Sequence, residues 1–222
     1  MIKSITNPSL AAIAAAAALL MAAPQPAQAQ DDSYANAKGK FQIRARGIWV
    51  APVESANSIS IGGDVDISNQ VVPELDFTYF VTDNIAFELI AAITPHDVRA
   101  VGTAAGDVDL GDVTLLPPTL TLQYHVPFDN GFKPYVGVGI NYTAFFDEDV
   151  PSAGVVTDTH FEDSIGPALQ VGMDYFLTDD WFVNLDLKYL FINTDVSING
   201  GAITADVDIN PIVFGFGVGY RF

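Results

Sequence analysis

The sequence predicts an all-β fold, an eight-stranded antiparallel up-and-down transmembrane β-barrel, and three observations carry that expectation. Eight segments alternate apolar and polar side chains with period two. The connections between them run long and short in turn. Apart from a short run near its start, no apolar stretch comes near the roughly 20 residues of a membrane-spanning helix. Composition agrees: half of the 222 residues are hydrophobic and 16% are charged, against about 25% charged in soluble domains. Only helices and closed barrels satisfy every backbone polar group in lipid, so strands that cross a bilayer have to close on themselves.

Residues 1–29 read as a secretory signal peptide rather than as part of the fold. Lys3 supplies the positive start, Leu10 to Ala23 an apolar stretch of 14 residues, and Ala27-Gln28-Ala29 a small-x-small cleavage site ahead of Gln30. That stretch is too short to anchor the chain as a helix. Residues 30–39 are then a periplasmic N-terminal segment and 40–222 the barrel.

The strands follow in order. Lys40 to Ala51 places Phe41, Ile43, Ala45, Gly47 and Trp49 on one face, with Gln42, Arg44, Arg46, Ile48 and Val50 on the other. Val72 to Phe80 sets Leu75, Phe77 and Tyr79 against Glu74, Asp76 and Thr78, and Ile85 to Ile93 sets Ile85, Phe87 and Leu89 against Ala86, Glu88 and Ile90. Leu115 to Val126 alternates Leu120, Leu122 and Tyr124 with Thr119, Thr121, Gln123 and His125. Lys133 to Phe145 alternates Val136, Val138, Ile140 and Tyr142 with Gly137, Gly139, Asn141 and Thr143. Ser164 to Phe176 sets Leu169, Val171, Met173 and Tyr175 against Gln170, Gly172 and Asp174. Trp181 to Ile192 sets Val183, Leu185, Leu187 and Tyr189 against Asn184, Asp186 and Lys188. Pro211 to Phe222 closes the series, with Phe214, Phe216 and Val218 against Gly215, Gly217 and Gly219.

Long connections cover Pro52–Val71, Pro95–Thr114, Phe146–Asp163 and Asn193–Asn210; short turns lie at Val81–Asn84, Pro127–Phe132 and Leu177–Asp180. That regular exchange matches barrels with short periplasmic turns and long outer loops. The bulky apolar residues share one face, while the other carries glycines, small residues and charges. An eight-stranded interior has room for only a limited set of side chains, so the bulky face points to lipid. Aromatic residues gather at both strand ends: Tyr79, Tyr124, Tyr175, Trp181, Tyr220 and Phe222 on the periplasmic side, and Trp49, Tyr142, Phe145, Tyr189 and Phe191 on the outer side. These are expected to form the two interfacial girdles. The chain stops on Tyr220-Arg221-Phe222, which resembles the signal read by the barrel-assembly machinery and makes that machinery an expected partner through Phe222.

The inward face divides in two. Arg44, Arg46, Asp76, Glu88, Asp174, Asp186, Lys188 and Arg221 are expected to pair as a polar plug, because charges buried in a narrow lumen must be neutralised. Above them Ile48, Val50, Ile90, Leu190, Ile192 and Val213 read either as an apolar outer mouth suited to a hydrophobic ligand or as ordinary packing between the barrel and the bases of its loops. Such an arrangement is closed at its base rather than an open pore.

Other chemistry finds little support. There is no cysteine, so thiolate metal sites and thiol nucleophiles are excluded. His96 and His160 fall in outer loops and His125 near the floor, none at a spacing that suggests a triad; the Asp163-Ser164 pair near His160 reads as loop and strand-start chemistry. Asp107-Val108-Asp109-Leu110-Gly111-Asp112 lacks the full calcium-loop pattern. No cofactor, metal or enzymatic activity is expected. Without the signal peptide the chain keeps 8 basic against 27 acidic residues, which argues against a nucleic-acid partner.

Several stretches together resemble the OmpW family of small outer-membrane barrels. They are Pro73-Glu74-Leu75 through Thr82-Asp83-Asn84-Ile85-Ala86, Leu115-Leu116-Pro117-Pro118-Thr119-Leu120, Lys133-Pro134-Tyr135-Val136-Gly137, Gly166-Pro167-Ala168-Leu169-Gln170, Trp181-Phe182-Val183-Asn184-Leu185-Asp186 and Gly217-Val218-Gly219-Tyr220-Arg221-Phe222. The Leu-Pro-Pro-Thr and Lys-Pro-Tyr-Val-Gly motifs are the specific ones. The resemblance implies a barrel in the cell outer membrane, in contact with its lipids, that takes up small hydrophobic molecules and releases them sideways into the membrane; alkane-uptake proteins are among the relatives. Prolines at Pro117, Pro118 and Pro167 remove ladder donors and mark candidate weak points in the wall. The alternative is a structural or adhesive barrel acting through its outer loops.

Overall fold

The computed structural model describes residues 36–222 except 38, 105, 129 and 152–155. The signal peptide expected at 1–29 and most of the 30–39 segment lie outside the described residues. The strands are β1 (Phe41–Ala51), β2 (Ser55–Ile59), β3 (Asp64–Ile67), β4 (Gln70–Phe80), β5 (Ile85–Ala92), β6 (Thr94–Thr103), β7 (Gly106–Leu116) and β8 (Thr119–His125). They continue with β9 (Phe132–Asp149), β10 (Thr159–Phe161), β11 (Ser164–Phe176), β12 (Trp181–Leu190), β13 (Asn193–Ile198), β14 (Ile203–Asp208) and β15 (Ile212–Arg221).

Eight of these are the staves of a closed antiparallel barrel, in the order β1, β4, β5, β8, β9, β11, β12, β15 and back to β1. The ends of the barrel meet along Gln42↔Arg221 to Ala51↔Ile212, and Phe41 and Phe222 exchange two backbone hydrogen bonds of 3.0 and 2.9 Å. Closure leaves no unpaired edge for lipid to face.

Two periplasmic turns share a device. In 81–84 the Thr82 hydroxyl accepts from the Ile85 amide at 2.9 Å, and in 177–180 the Thr178 hydroxyl accepts from the Trp181 amide at 3.0 Å. Each hydroxyl takes a donor the tight turn would leave open.

Side-chain polarity is reversed relative to a soluble protein. Outward residues such as Ile140, Val138 and Phe216 are 63%, 58% and 55% exposed, while Arg44, Asp76, Glu88 and Asp174 inside are at 0%. The exposed apolar band is the lipid face. Of the expected outer girdle, Trp49 and Tyr142 are exposed, but Tyr189 is buried, and Phe145 lies in the outer extension of β9, stacked on Phe161 at 5.6 Å. Inside, glycines make room for large neighbours: a Cβ on Gly172 would sit 2.5 Å from the Tyr135 ring, and one on Gly219 would sit 2.2 Å from the Phe182 ring.

The long outer connections are not open loops. β6 and β7 form a hairpin that continues the barrel wall by pairing with the outer end of β9, and β3 adds to β6. A second sheet, β10-β13-β14-β2, stands opposite. The stretch taken from sequence as one strand, Leu115 to Val126, is therefore two elements, β7 and β8, parted at Pro117-Pro118 because neither proline can donate to a ladder.

Candidate functional site

The lower lumen is a network of ion pairs. Arg44 Nη1 lies 3.0 Å from Asp76 and 2.8 Å from Glu88, and its Nη2 lies 3.2 Å from Asp174. Arg46 reaches Glu74 at 2.7 Å, Asp76 at 2.8 Å, Glu88 at 3.3 Å and Asp186 at 3.5 Å. Lys188 completes the network to Asp186 at 2.7 Å and Glu74 at 3.0 Å. Each guanidinium presents its donors in a fixed plane and meets three or four carboxylates, against two for the Lys188 ammonium.

Neutral side chains fill the remaining lone pairs. Gln170 Nε2 donates to Glu88 and Asp186, both at 2.8 Å; the Tyr135 hydroxyl donates to Asp186 at 2.7 Å; Asn184 donates to Asp174 at 2.8 Å. Among the described residues, five cations (Arg44, Arg46, Lys133, Lys188, Arg221) and five carboxylates (Glu74, Asp76, Glu88, Asp174, Asp186) are buried, so the lumen is balanced.

Seven of the eight residues singled out as a polar plug therefore share one network. Arg221 stands apart, beside the β11–β12 turn, donating to the Asp179 carbonyl at 2.8 Å with its guanidinium 4.8 Å from the Phe176 ring centre. Glu74, Lys133 and Tyr135 were not singled out. The strand parity could have found all three, since Glu74 shares a face with Asp76, and Lys133 and Tyr135 share one with Gly137. The Lys133 ammonium stands 4.2 Å from the Phe80 ring centre, near His125, which packs between Phe80 and Tyr135.

Above the ions the inward residues turn apolar. Ile48, Val50, Ile90, Leu190, Ile192 and Val213 all line one cavity of about 30 Å³. Its floor is the Glu74–Lys188 ion pair, and His96, Leu115, Pro117 and Pro211 complete its wall. Farther out the strand faces change at Ile93: beyond it Pro95, Asp97 and Arg99 point outward, so His96 lies outside the membrane-spanning segments. Its Nδ1 is 2.7 Å from the Ser68 carbonyl, which can only accept, and burial holds the imidazole below its ordinary pKa.

The wall beside this cavity is interrupted. Pairing of β5 with β8 ends at Ile90↔Thr119, and pairing of β6 with β7 begins at Thr94↔Leu115. The Pro117 carbonyl is turned to Asn141 Nδ2 at 3.2 Å, and the Pro118 carbonyl to the Tyr142 amide at 3.0 Å. Pro117 borders the cavity, whereas Pro167, the other candidate weak point, does not line it.

The residues weighed for catalysis are engaged elsewhere. His160 meets Glu148 at 3.1 Å; Asp163 accepts from the Tyr142 hydroxyl, and Ser164 Oγ accepts from the Asn193 amide at 3.1 Å. In the 107–112 segment Asp107 and Asp109 accept from the Gly102 and Gly111 amides at 2.9 and 3.0 Å. No group of His, Asp and Glu placed to hold a metal ion occurs among the described residues.

Comparison with known proteins agrees with this architecture. The sequence model of the OmpW family matches residues 37–222. Outer membrane protein W of Escherichia coli strain K12 is 41% identical over 198 residues, covering 86% of this chain and 92% of its own length. Among solved structures, that of the outer membrane protein OprG from Pseudomonas aeruginosa superposes with a TM-score of 0.79 at 34% identity, covering 85% of this chain and 98% of its own. The outer membrane protein AlkL, solved in DMPC lipid bilayers, superposes with a TM-score of 0.63 at 25% identity, covering 90% and 96%.

Proposed function

Because the chain belongs to the OmpW family and is a barrel of the cell outer membrane, we propose that it mediates passive uptake of small hydrophobic molecules, with release sideways into the membrane. The observation that carries this reading is the apolar cavity closed below by ions and bordered by the broken wall at Pro117-Pro118. An apolar solute entering from outside gains by leaving water. It cannot go on into the periplasm, because the Arg44–Glu88–Arg46 network fills the lumen beneath it. The break in the wall is the way left open. In this reading Ile48, Val50, Ile90, Leu190, Ile192 and Val213 are the ligand contacts, and the ionic network is the plug that turns the solute aside.

The test is uptake of a labelled alkane by cells with the gene deleted and cells complemented with it. Equal rates in the two would reject the proposal. If Ile48→Asp and Leu190→Asp barrels assemble normally and keep the phenotype of the complemented cells, the adhesive or structural reading through the outer loops takes its place. We infer further that Phe222 is the assembly signal: it is 59% exposed on the last strand, its backbone paired with Phe41. Replacing it with Ala should slow barrel assembly without altering the folded state.

A further inference from the structure

A second apolar chamber lies above the first, and a repeated sequence builds it. Asp64-Val65-Asp66-Ile67, Asp107-Val108-Asp109-Leu110 and Asp206-Val207-Asp208-Ile209 place the same pattern in three different outer connections. In extended chain, alternate residues face opposite sides. The carboxylates therefore point outward, exposed or half-buried, and Val65, Ile67, Val108, Leu110, Val207 and Ile209 all point into one cavity of about 80 Å³. The three copies approach from both cap sheets, and Phe161, Val196 and Ile198 of the second sheet close the chamber.

The chamber adjoins the mouth at a single shared residue, which stands between the two cavities. Ile209 lines both cavities. Its backbone is held on two sides: its amide donates to the Ile192 carbonyl at 2.8 Å, and its carbonyl accepts from the Val53 amide at 3.0 Å. Asn210, which follows, takes φ +38° and accepts from the Ile192 amide through Oδ1 at 3.0 Å. The backbone is thus fixed between the ends of β1 and β12, so a passage between the cavities depends on the rotamer of the Ile209 side chain.

We propose that the cap chamber is a first binding site for a short aliphatic molecule, and that Ile209 is the septum which passes it to the mouth. The lining favours that class. It is aliphatic apart from the Phe161 ring and Asn199, whose Oδ1 accepts from the Thr157 amide at 2.7 Å, so it offers no polar group free to recognise a ligand. A dry apolar cavity of this kind binds small apolar molecules and stays empty of water. A flexible chain can thread past one branched side chain, whereas a rigid ring system meets it broadside.

The proposal rests on the uptake reading, and its test separates the two. Uptake of ¹³C-octane is measured in cells carrying the wild-type protein, Ile209→Trp or Ile209→Ala, with assembly of each barrel checked by its heat-shifted gel migration. Contacts of ¹³C-octane with the Val196 and Ile198 methyls are recorded by NMR in lipid nanodiscs. The expected result is octane contact at both methyls in wild type and in Ile209→Trp, at least a tenfold slower uptake by Ile209→Trp, and uptake by Ile209→Ala at or above the wild-type rate. Wild-type uptake no faster than that of deleted cells overturns both readings. Brisk wild-type uptake with an Ile209→Trp rate within twofold of it, or with no octane at Val196 and Ile198, overturns the septum and cap site while leaving uptake standing.

Discussion

In the lower lumen Arg44 and Arg46 hold five buried carboxylates at distances of 2.7 to 3.5 Å, and the void space described here lies above them; in the outer lumen Ile48, Leu190 and Ile192 face a cavity and meet no charge but the Glu74–Lys188 pair at its floor. Both halves are inward-facing and both are buried, so burial alone does not distinguish them. The difference is in what fixes the side chains. Charges removed from water must each find a partner in a defined place, which makes the lower half rigid and closed. Methyl groups have no such demand, so the upper half tolerates space. A barrel wall of one continuous design thus encloses a plug at one end and a receptacle at the other.

The contrast should break most visibly at Arg44. Arg44→Met removes the ion-pair partner of Asp174 and one of the two guanidinium partners of Asp76 and Glu88, which keep Arg46. Stranding buried charges costs about 3–5 kcal/mol, to be read as a lowered urea midpoint for unfolding in liposomes. A loss under about 1 kcal/mol would mean that the network rearranges and is not the rigid plug inferred from it. The lipid face gives the next largest effect. Val138 is 58% exposed midway along β9, and Val138→Arg should cost about 2–4 kcal/mol there. An arginine that is required inside at 44 on β1 is then harmful at 138 on β9, where the side chain faces lipid.

At the mouth the expected losses are smaller and of another kind. Leu190→Asn sets a polar group among the apolar walls of the mouth, at a cost of about 1–3 kcal/mol, and uptake should fall while the ionic floor keeps the barrel assembled. If Leu190→Asn lowers the urea midpoint as far as Arg44→Met does, the two halves are not independent. Pro117→Ala has the opposite sign: it restores a donor beside the broken ladder and should stabilise by at most about 1 kcal/mol. Uptake should slow as the wall seals, and unchanged uptake by this variant would place the exit elsewhere.

The same contrast explains what sequence could show. The wall was legible because lipid outside and a narrow lumen inside impose opposite demands on alternate residues, so Leu120, Leu122 and Tyr124 part from Thr119, Thr121 and Gln123 without ambiguity. The members of the plug were legible as charges of the right parity. Their partners were not, since Tyr135 on β9 meets Asp186 on β12 over Gly172 of β11, 51 residues away in sequence, and only the strand register brings them together. Glu74 was passed over although its parity matched Asp76. The cap was least legible: Asp-Val-Asp-Ile has the period of a strand, but the density of carboxylates in the outer connections reads as a solvated loop. The assignment of Tyr189 to an exposed girdle failed similarly, because its parity is outward while its surroundings are not lipid alone.

The smallest expected effect lies where the two regimes meet the cap, at His96. Its Nδ1 must carry the proton to donate to the Ser68 carbonyl, and the rest of the ring lines the apolar mouth. Burial is the largest influence and favours the neutral ring; the Ser68 carbonyl and the Asp97 carboxylate favour the charged one, and burial prevails. The folded pKa is therefore depressed below the ordinary histidine value of about 6.5. A group depressed on folding contributes stability that is fully present above the unfolded pKa and is lost as pH falls through the folded one. Acidification from pH 7.5 toward 5 should accordingly loosen the cap around Ser68 and His96, seen as a lower protection factor, corrected for the intrinsic pH dependence of exchange, at the Asp97 amide, which donates to the Ser68 hydroxyl at 2.9 Å. His96→Asn keeps a donor near the Ser68 carbonyl without a titrating ring, and should flatten that pH dependence while His125 and His160 are unchanged. An equal pH response in the variant would show that His96 is not the source of the loosening.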